Sequence, residues 1–382
     1  MSLSHTARSL RTALGRWIRS RQGRASTGCD APASRSFDSK DLILRGWAED
    51  CDQIRVHLLE HEPVAAEMRR YRPDHPGAGF LARITNAPDL ARVTIEFRRE
   101  GRTVRRIQRT LERVPRPAAA PPPAITPPRE EAAPGAAILI PSGGNAPALD
   151  RNLRTLREQT RYPRFAITVI DNSRGGVIRE LTARHGADWL DWRGRPFDFA
   201  AMNNAAARTR KEDLLVFLND DVEAARPGWL AALAAWAADP RVGAAGARLL
   251  YPSGLVQHAG VEPAADGLYR NAFRFADPLD EDLAPWLDRA RRVPAVTGAC
   301  LAVRRDLFLA AGGFDEQRFP VAFNDVDLCL RLGGRGLANV YVPEAELYHF
   351  EALSKSAFEY HAHPREVAAF LTRWPPGGGM AN

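Results

Sequence analysis

The sequence predicts an α/β domain with a mostly parallel sheet flanked by helices, preceded by a small antiparallel β-sandwich-like domain. Three observations carry this. Short β-rich runs separated by turn residues fill residues 36–113. Residues 114–135 then hold eight prolines among many alanines, a composition that stays extended and cannot pack a core. From Ala136 onward, apolar runs of strand length alternate with segments of helical periodicity, the pattern of a parallel sheet covered on both faces. A chain of 382 residues is too long for one ordinary domain and comfortable for two.

Residues 1–24 carry six arginines and no acid. On a helix, at about 100° per residue, Leu3, Ala7, Leu10, Leu14, Trp17 and Ile18 share one side, and Arg8, Arg11, Arg16 and Arg19 the other. A basic amphipathic helix of this kind suits a membrane interface, a packed helix of the protein itself, or a transit peptide. Within 36–113 the β-rich runs are Leu42–Trp47, Ile54–Leu59, Gly79–Ile84, Val93–Phe97 and Thr103–Arg109. In the 136–374 domain, strands are expected at Ala136–Pro141, Phe165–Asp171 and Leu214–Leu218. Helices are expected at Ala148–Thr160, Val177–His185, Ala200–Thr209 and Trp229–Ala238.

Composition excludes several classes. Hydrophobic residues at 45% and charged residues at 26% match soluble globular chains and not a disordered or fibrous one. The four cysteines (Cys29, Cys51, Cys300, Cys329) are too few for a disulfide scaffold, and no two have zinc-ribbon spacing. Apolar runs such as Ala136–Pro141 fall far short of the roughly 20 residues of a membrane span. The N-terminus lacks an apolar h-region, so no cleavable signal peptide is expected and a reduced, cytoplasmic setting is the default. The net charge of +7 resides in the first part: residues 1–117 hold 23 Lys+Arg against 14 Asp+Glu, the remainder 30 against 32. No basic stripe with interleaved aromatics follows residue 24, which argues against nucleic acid as a partner.

In open α/β sheets ligands sit at the carboxyl ends of the strands. Those ends read Pro141-Ser142-Gly143-Gly144-Asn145, Asp171-Asn172-Ser173 and Asn219-Asp220-Asp221. Two adjacent carboxylates closing an apolar strand repel one another, and a hard divalent cation bridging them to a diphosphate would remove that cost. A helix cap or a solvated turn is the plainer alternative. No Gly-rich dinucleotide motif, phosphate loop or nucleophile elbow is present.

Four segments together resemble a known family. They are Ile138–Pro141 with Phe165–Ser173; Phe197-Asp198-Phe199-Ala200-Ala201-Met202-Asn203-Asn204; Phe217–Asp221 with Gly246–Tyr251 and Gln257-His258-Ala259-Gly260; and Val296–Cys300 with Gly312–Asp315, Phe323–Arg331 and Glu346–His349. Over residues 136–356 this order is similar to family 2 glycosyltransferases of the GT-A fold, in the branch assembling O-antigen and capsular polysaccharide. The β-domain, through Gly46-Trp47 and Arg72–Phe80, resembles a small domain found beside such enzymes, where glycan binding and scaffolding are both open.

The resemblance implies an inverting, metal-dependent transfer of a sugar from a nucleotide diphosphate sugar to a surface-polysaccharide or lipid-linked glycan acceptor, with Mn²⁺ or Mg²⁺ as cofactor. It implies Asp325 as the catalytic base, Asp221 and His349 as metal ligands, and Pro141, Ser142, Asp171, Asn204, Asn219, Asp220, Gly298 and Lys355 around the nucleotide sugar. It also implies a cytoplasmic protein, peripheral on the inner membrane if residues 1–24 meet lipid. The chain departs from the family at Ser142–Asn145, at Asn219 for a common aspartate and at Asn324 for a glutamate. Those departures motivate the alternative of a catalytically silent glycan- or nucleotide-binding subunit; a nucleotidyltransferase would want a cation after the first strand. Asp327 reads as a helix-surface or capping carboxylate, and His361 and His363 as a solvent-exposed pair. His258 reads as a turn residue or a border of the acceptor site. Trp189 and Trp192 read as core or rim residues or as a sugar platform.

Overall fold

The computed structural model describes residues 133–350 except 253, 265, 275 and 281–282, residues 364–376, and short stretches of residues 27–113. These stretches are residues 27–31, 36–37, 42–48, 52–58, 64–65, 67–69, 79–84 and 90–113. The basic segment 1–24 and most of the proline-rich stretch lie outside the described residues. The chain divides into two compact units, one N-terminal and one holding every element from Ala136 on.

The N-terminal unit is a sandwich of two sheets. One orders Thr27–Ala31, Leu42–Ala48, Gly79–Ile84 and Glu67–Arg69, all antiparallel. The other orders Ser36–Phe37, Arg102–Arg113, Leu90–Arg99, Gln53–Leu58 and Val64–Ala65. Its pairs are antiparallel except the first, where Ser36–Phe37 runs parallel to its neighbour. Alternation drives the packing: Ile54, Val56 and Leu58 face inward with Val93, Ile95 and Phe97, and meet Leu44, Ala82 and Ile84 of the other sheet in one core. The first strand precedes residue 36, earlier than the sequence pattern indicates, because Thr27–Ala31 is too short and polar to read as a strand until Leu42–Ala48 pairs with it.

The second unit is built on a ten-stranded sheet. Its elements are β1 (Ala136–Ser142), α1 (Ala146–Gln159), β2 (Phe165–Asp171), α2 (Val177–Arg184), β3 (Asp188–Asp191), α3 (Phe199–Thr209), β4 (Leu214–Leu218), β5 (Val222–Ala224), α4 (Trp229–Ala237), β6 (Val242–Leu250), β7 (Val256–His258), β8 (Val261–Pro263), β9 (Tyr269–Asn271), α5 (Ala284–Leu287), β10 (Arg291–Val293), β11 (Cys300–Arg304), α6 (Arg305–Ala310), α7 (Asn324–Gly333), β12 (Ala338–His349) and α8 (Pro364–Arg373). The sheet order is β3-β2-β1-β4-β11-β6-β12-β5, with β7 on β6 and β10 on β12; β8 and β9 form a separate ribbon. Strands β3, β2, β1 and β4 are parallel, and β11 runs against them. β1 and β4 are buried along their whole length, as strands covered on both faces must be.

Helix α7, which carries Asp325, is held from two sides. Its N-cap, Phe323, has φ of +61°, a left-handed conformation disfavoured for an aromatic residue. The Phe370 ring of α8 stacks on it at 4.6 Å. Glu366 of α8 accepts N–H bonds from Val321 (3.2 Å) and Ala322 (2.7 Å). At the other side Asp327, completely buried, accepts from Arg331 Nε (2.8 Å) and Trp374 Nε1 (3.1 Å) and pairs with Arg373 Nε (3.0 Å). The expectation of a surface or capping carboxylate is thereby corrected: Asp327 lies two residues past Asp325 and so on a different face, the one that α8 covers.

Replacing Asp327 with alanine leaves Arg331 and Arg373 without their shared carboxylate. We expect the unfolding free energy, measured by urea titration, to drop by about 3 kcal/mol.

Candidate active site

Parallel register sets the strand ends side by side. Ser142 is paired with Asp171, and the Asn172 N–H donates to the Ser142 carbonyl at 2.9 Å. The Ser142 hydroxyl donates to Asp220 Oδ2 at 2.8 Å, so the β1 end grips the loop after β4 directly. That loop is tied onward. The Asn219 N–H donates to the Ala299 carbonyl at 3.1 Å, and the next N–H in that stretch, from Gly298, donates to Asp325 Oδ2 at 2.7 Å. The Asp220–Asp221 loop and Asp325 therefore belong to one hydrogen-bonded arc. Gly298 is tightly packed: a Cβ there would meet Asp325 Cβ at 3.3 Å and the Phe199 ring at 3.4 Å.

The two halves of the arc differ in chemistry. On one side, His349 closes β12 opposite Val222, and its Nε2 lies 3.1 Å from Asp221 Oδ1. Gln257 Oε1 accepts from His349 Nδ1 at 2.6 Å, which turns Nε2 toward Asp221; Asn219 Nδ2 approaches that nitrogen at 3.3 Å. A carboxylate oxygen and an imidazole nitrogen side by side, with the far ring nitrogen fixed by an amide, is the donor set of a divalent cation that accepts both O and N, as Mn²⁺ does. Among the described residues there is no group of three or more His, Cys, Asp and Glu that could hold a metal ion. Burial and the neighbouring Asp221 push the Asp220 carboxyl up to about 7.

On the other side, Asp325 is half-buried at the start of α7. Burial raises its carboxyl above the ordinary range, and bonds from the Gly298 and Val326 N–H groups and from Thr297 pull it back. Asn324, beside it, donates to the Phe319 carbonyl at 3.3 Å. A glutamate could not donate there, which gives the departure at this position a local reason.

Other expected residues sit nearby with different duties. Asp171 is buried, its oxygens taken by the Ser173 N–H (2.8 Å) and the Trp189 indole N–H (3.0 Å). Asn204 is buried on α3 and spends its amide on the Gly313–Glu316 turn: it accepts from the Phe314 N–H (3.0 Å) and donates to the Phe314 carbonyl (2.9 Å) and Glu316 (2.7 Å). Both side chains thus tie neighbouring segments of the fold together. Arg179 and Arg193 lie over Trp189, and Arg195 over Trp192. Pro141 is the penultimate residue of β1 and is buried like the rest of the strand. Lys355, His361 and His363 lie outside the described residues.

Two residues escaped the sequence reading. Asn152 is buried on α1 and donates to the carbonyls of Asn219 (3.0 Å) and Val222 (2.7 Å), holding the carboxylate loop from behind. An amide on the apolar face between Leu149 and Leu153 was the available signal. Gln257 had only its place in Gln257-His258-Ala259-Gly260.

A sheet of this order, with a carboxylate loop ending its fourth strand and a second carboxylate opening a helix across the cleft, has the architecture of the GT-A glycosyltransferases. The chain belongs to the glycosyltransferase-like family 2, whose model matches residues 134–369. It is 34% identical over 270 residues to N-acetylglucosaminyl-diphospho-decaprenol L-rhamnosyltransferase of Mycobacterium tuberculosis, covering 62% of this chain and 87% of that one. It is 37% identical over 232 residues to O-antigen biosynthesis protein RfbC of Myxococcus xanthus, but spans only 18% of that protein and 59% of itself. Among solved structures, GalNAc-T7 with UDP, GalNAc and Mn²⁺ superposes with a TM-score of 0.51 at 17% identity, covering 64% of this chain and 49% of that one.

The raised Asp220 fixes a sign. Its folded value near 7 exceeds the unfolded value of about 3.9. The folded state therefore holds the proton more tightly, and stability falls as pH rises through that window. Asp220→Asn should raise the melting temperature of the metal-free protein by roughly 2–6 °C at pH 8 and much less at pH 4. Equal shifts at both pH values would contradict the assignment.

Proposed function

We propose that the chain is an inverting, metal-dependent glycosyltransferase that moves a sugar from a nucleotide diphosphate sugar to a hydroxyl of a surface-polysaccharide or lipid-linked glycan. The observation that carries this reading is the hydrogen-bonded arc from Ser142 through Asp220 and Asn219 to Gly298 and Asp325. It joins a diphosphate-side loop and an isolated carboxylate at one sheet edge.

The division of labour follows. Asp221 and His349 would hold the cation, which when bound neutralises charge on the diphosphate. Asp325 takes the proton from the acceptor hydroxyl. The acceptor oxygen forms a bond to the anomeric carbon as the bond to the phosphate oxygen breaks. The electron pair leaves with the nucleoside diphosphate, and the anomeric configuration inverts. The raised carboxyl of Asp325 suits a base, since a more basic carboxylate accepts a proton more readily. Ser142 and Gly298 position the two carboxylate loops, and Lys355 follows His349 in sequence where a cation would meet the diphosphate. The names of the two bacterial relatives support a cell-envelope glycan as the product. A lipid-linked acceptor would bring the protein to the cytoplasmic face of the membrane, with residues 1–24 as the basic contact. Among the described residues no helix is long and apolar enough to cross one.

A panel of UDP-, GDP- and dTDP-sugars, with Mn²⁺, Mg²⁺ or chelator, should give nucleoside diphosphate release from one donor class only, lost on chelation. Binding without release across the panel would favour a silent subunit. Asp325→Asn should lower turnover about 10²–10⁴-fold with donor affinity kept. The wild-type rate should fall with acid through a pKa above the ordinary aspartate value of about 3.9. Product NMR retaining the donor's anomeric configuration would overturn the inverting mechanism.

A further inference from the structure

Strand β7 delivers two neighbouring side chains to opposite sides, as strand alternation requires. Gln257 turns to His349 on the metal side. His258 turns the other way and is completely buried, edge-on to the Tyr341 ring at 6.5 Å. Its Nδ1–H donates to the Ala247 carbonyl of β6 at 2.8 Å. That leaves Nε2 as a lone-pair acceptor. Two backbone N–H groups use it, from Gly260 and from Thr297, each at 3.2 Å.

Thr297 immediately precedes Gly298, whose N–H grips Asp325. The surroundings leave this stretch little latitude. Val296 packs so tightly on Gly246 that a Cβ there would lie 2.4 Å from it, and Gly260 has a left-handed φ of +91° that suits glycine alone. Without an acceptor at Nε2, the buried Gly260 N–H and the partly buried Thr297 N–H would lose their partner, and the loop would have to turn to satisfy them.

We propose that His258 is a positioning residue for the sugar transfer: the lone pair on its Nε2 fixes the backbone at Thr297, so that the Gly298 N–H is aimed at the Asp325 carboxylate. The inference rests on Asp325 being the base. His258 touches neither donor nor acceptor. Its effect belongs in kcat, through the placement of Asp325, and not in the KM for the donor.

The test uses the full chain, the active sugar nucleotide from the release assay, and three variants. His258→Leu fills the space without an acceptor and should lower kcat about 10–100-fold with donor KM within twofold. Backbone amide exchange at Thr297 and Gly260 should quicken in the same variant. His258→Gln, whose Oε1 reaches the Nε2 position, should recover most of kcat and the slow exchange. In the wild type, ring ¹⁵N NMR should find Nδ1 protonated and Nε2 bare, a reading that stands even if the leucine variant does not fold. A protonated Nε2, a folded leucine variant with normal kcat, or a kcat loss with Thr297 exchange still slow would each overturn the proposal. Asp325→Asn with full turnover would instead remove the base reading, while the ¹⁵N signature and the exchange pattern remain.

Discussion

The proposed base, Asp325, is held by backbone N–H groups, which orient a carboxylate without neutralising it. The Gly298 N–H reaches Asp325 at 2.7 Å and the Val326 N–H at 2.8 Å. A lysine or arginine in that place would fix the carboxylate more strongly and lower its basicity. A peptide N–H orients it and leaves the charge available. Much of the surrounding construction serves this one bond: Gly298 without a side chain, Val296 wedged on Gly246, and the loop closed by the Asn219 N–H on Ala299.

The opposite half is organised by side chains. Asn152 holds the carboxylate loop by two carbonyls, Ser142 holds Asp220, and Gln257 sets the His349 ring. The loop is rigid while its two carboxylates remain crowded together. Crowding of that kind is costly in an empty site and is relieved when positive charge arrives.

The sequence disclosed what local physics determines. Strands β2 and β4 were legible to the residue, because continuous apolar runs bounded by polar ones admit few alternatives. Asn219-Asp220-Asp221 stood out because adjacent carboxylates closing an apolar strand invite explanation, whereas Asp325 stood out only through the family resemblance. The role of Asp327 was not legible, since its partners Arg373 and Trp374 lie more than forty residues away. The tertiary partners of Asp171 and Asn204 were not legible either: the Trp189 indole bonds the first, and Phe314 and Glu316, more than a hundred residues on, bond the second. His258 was ambiguous for a related reason: a histidine's use depends on which nitrogen carries the proton, and only Ala247 and Thr297 decide that.

The clasp that α8 places on α7 has a consequence for biosynthesis. Glu366, Phe370, Arg373 and Trp374 are the last described parts to arrive, yet they brace the helix bearing Asp325. On the ribosome, the sheet and its carboxylate loop can assemble while this helix still lacks its support. A nascent chain would thus form its Asp220–Asp221 loop before the helix bearing Asp325 is braced, and that brace is complete only once translation has passed residue 374.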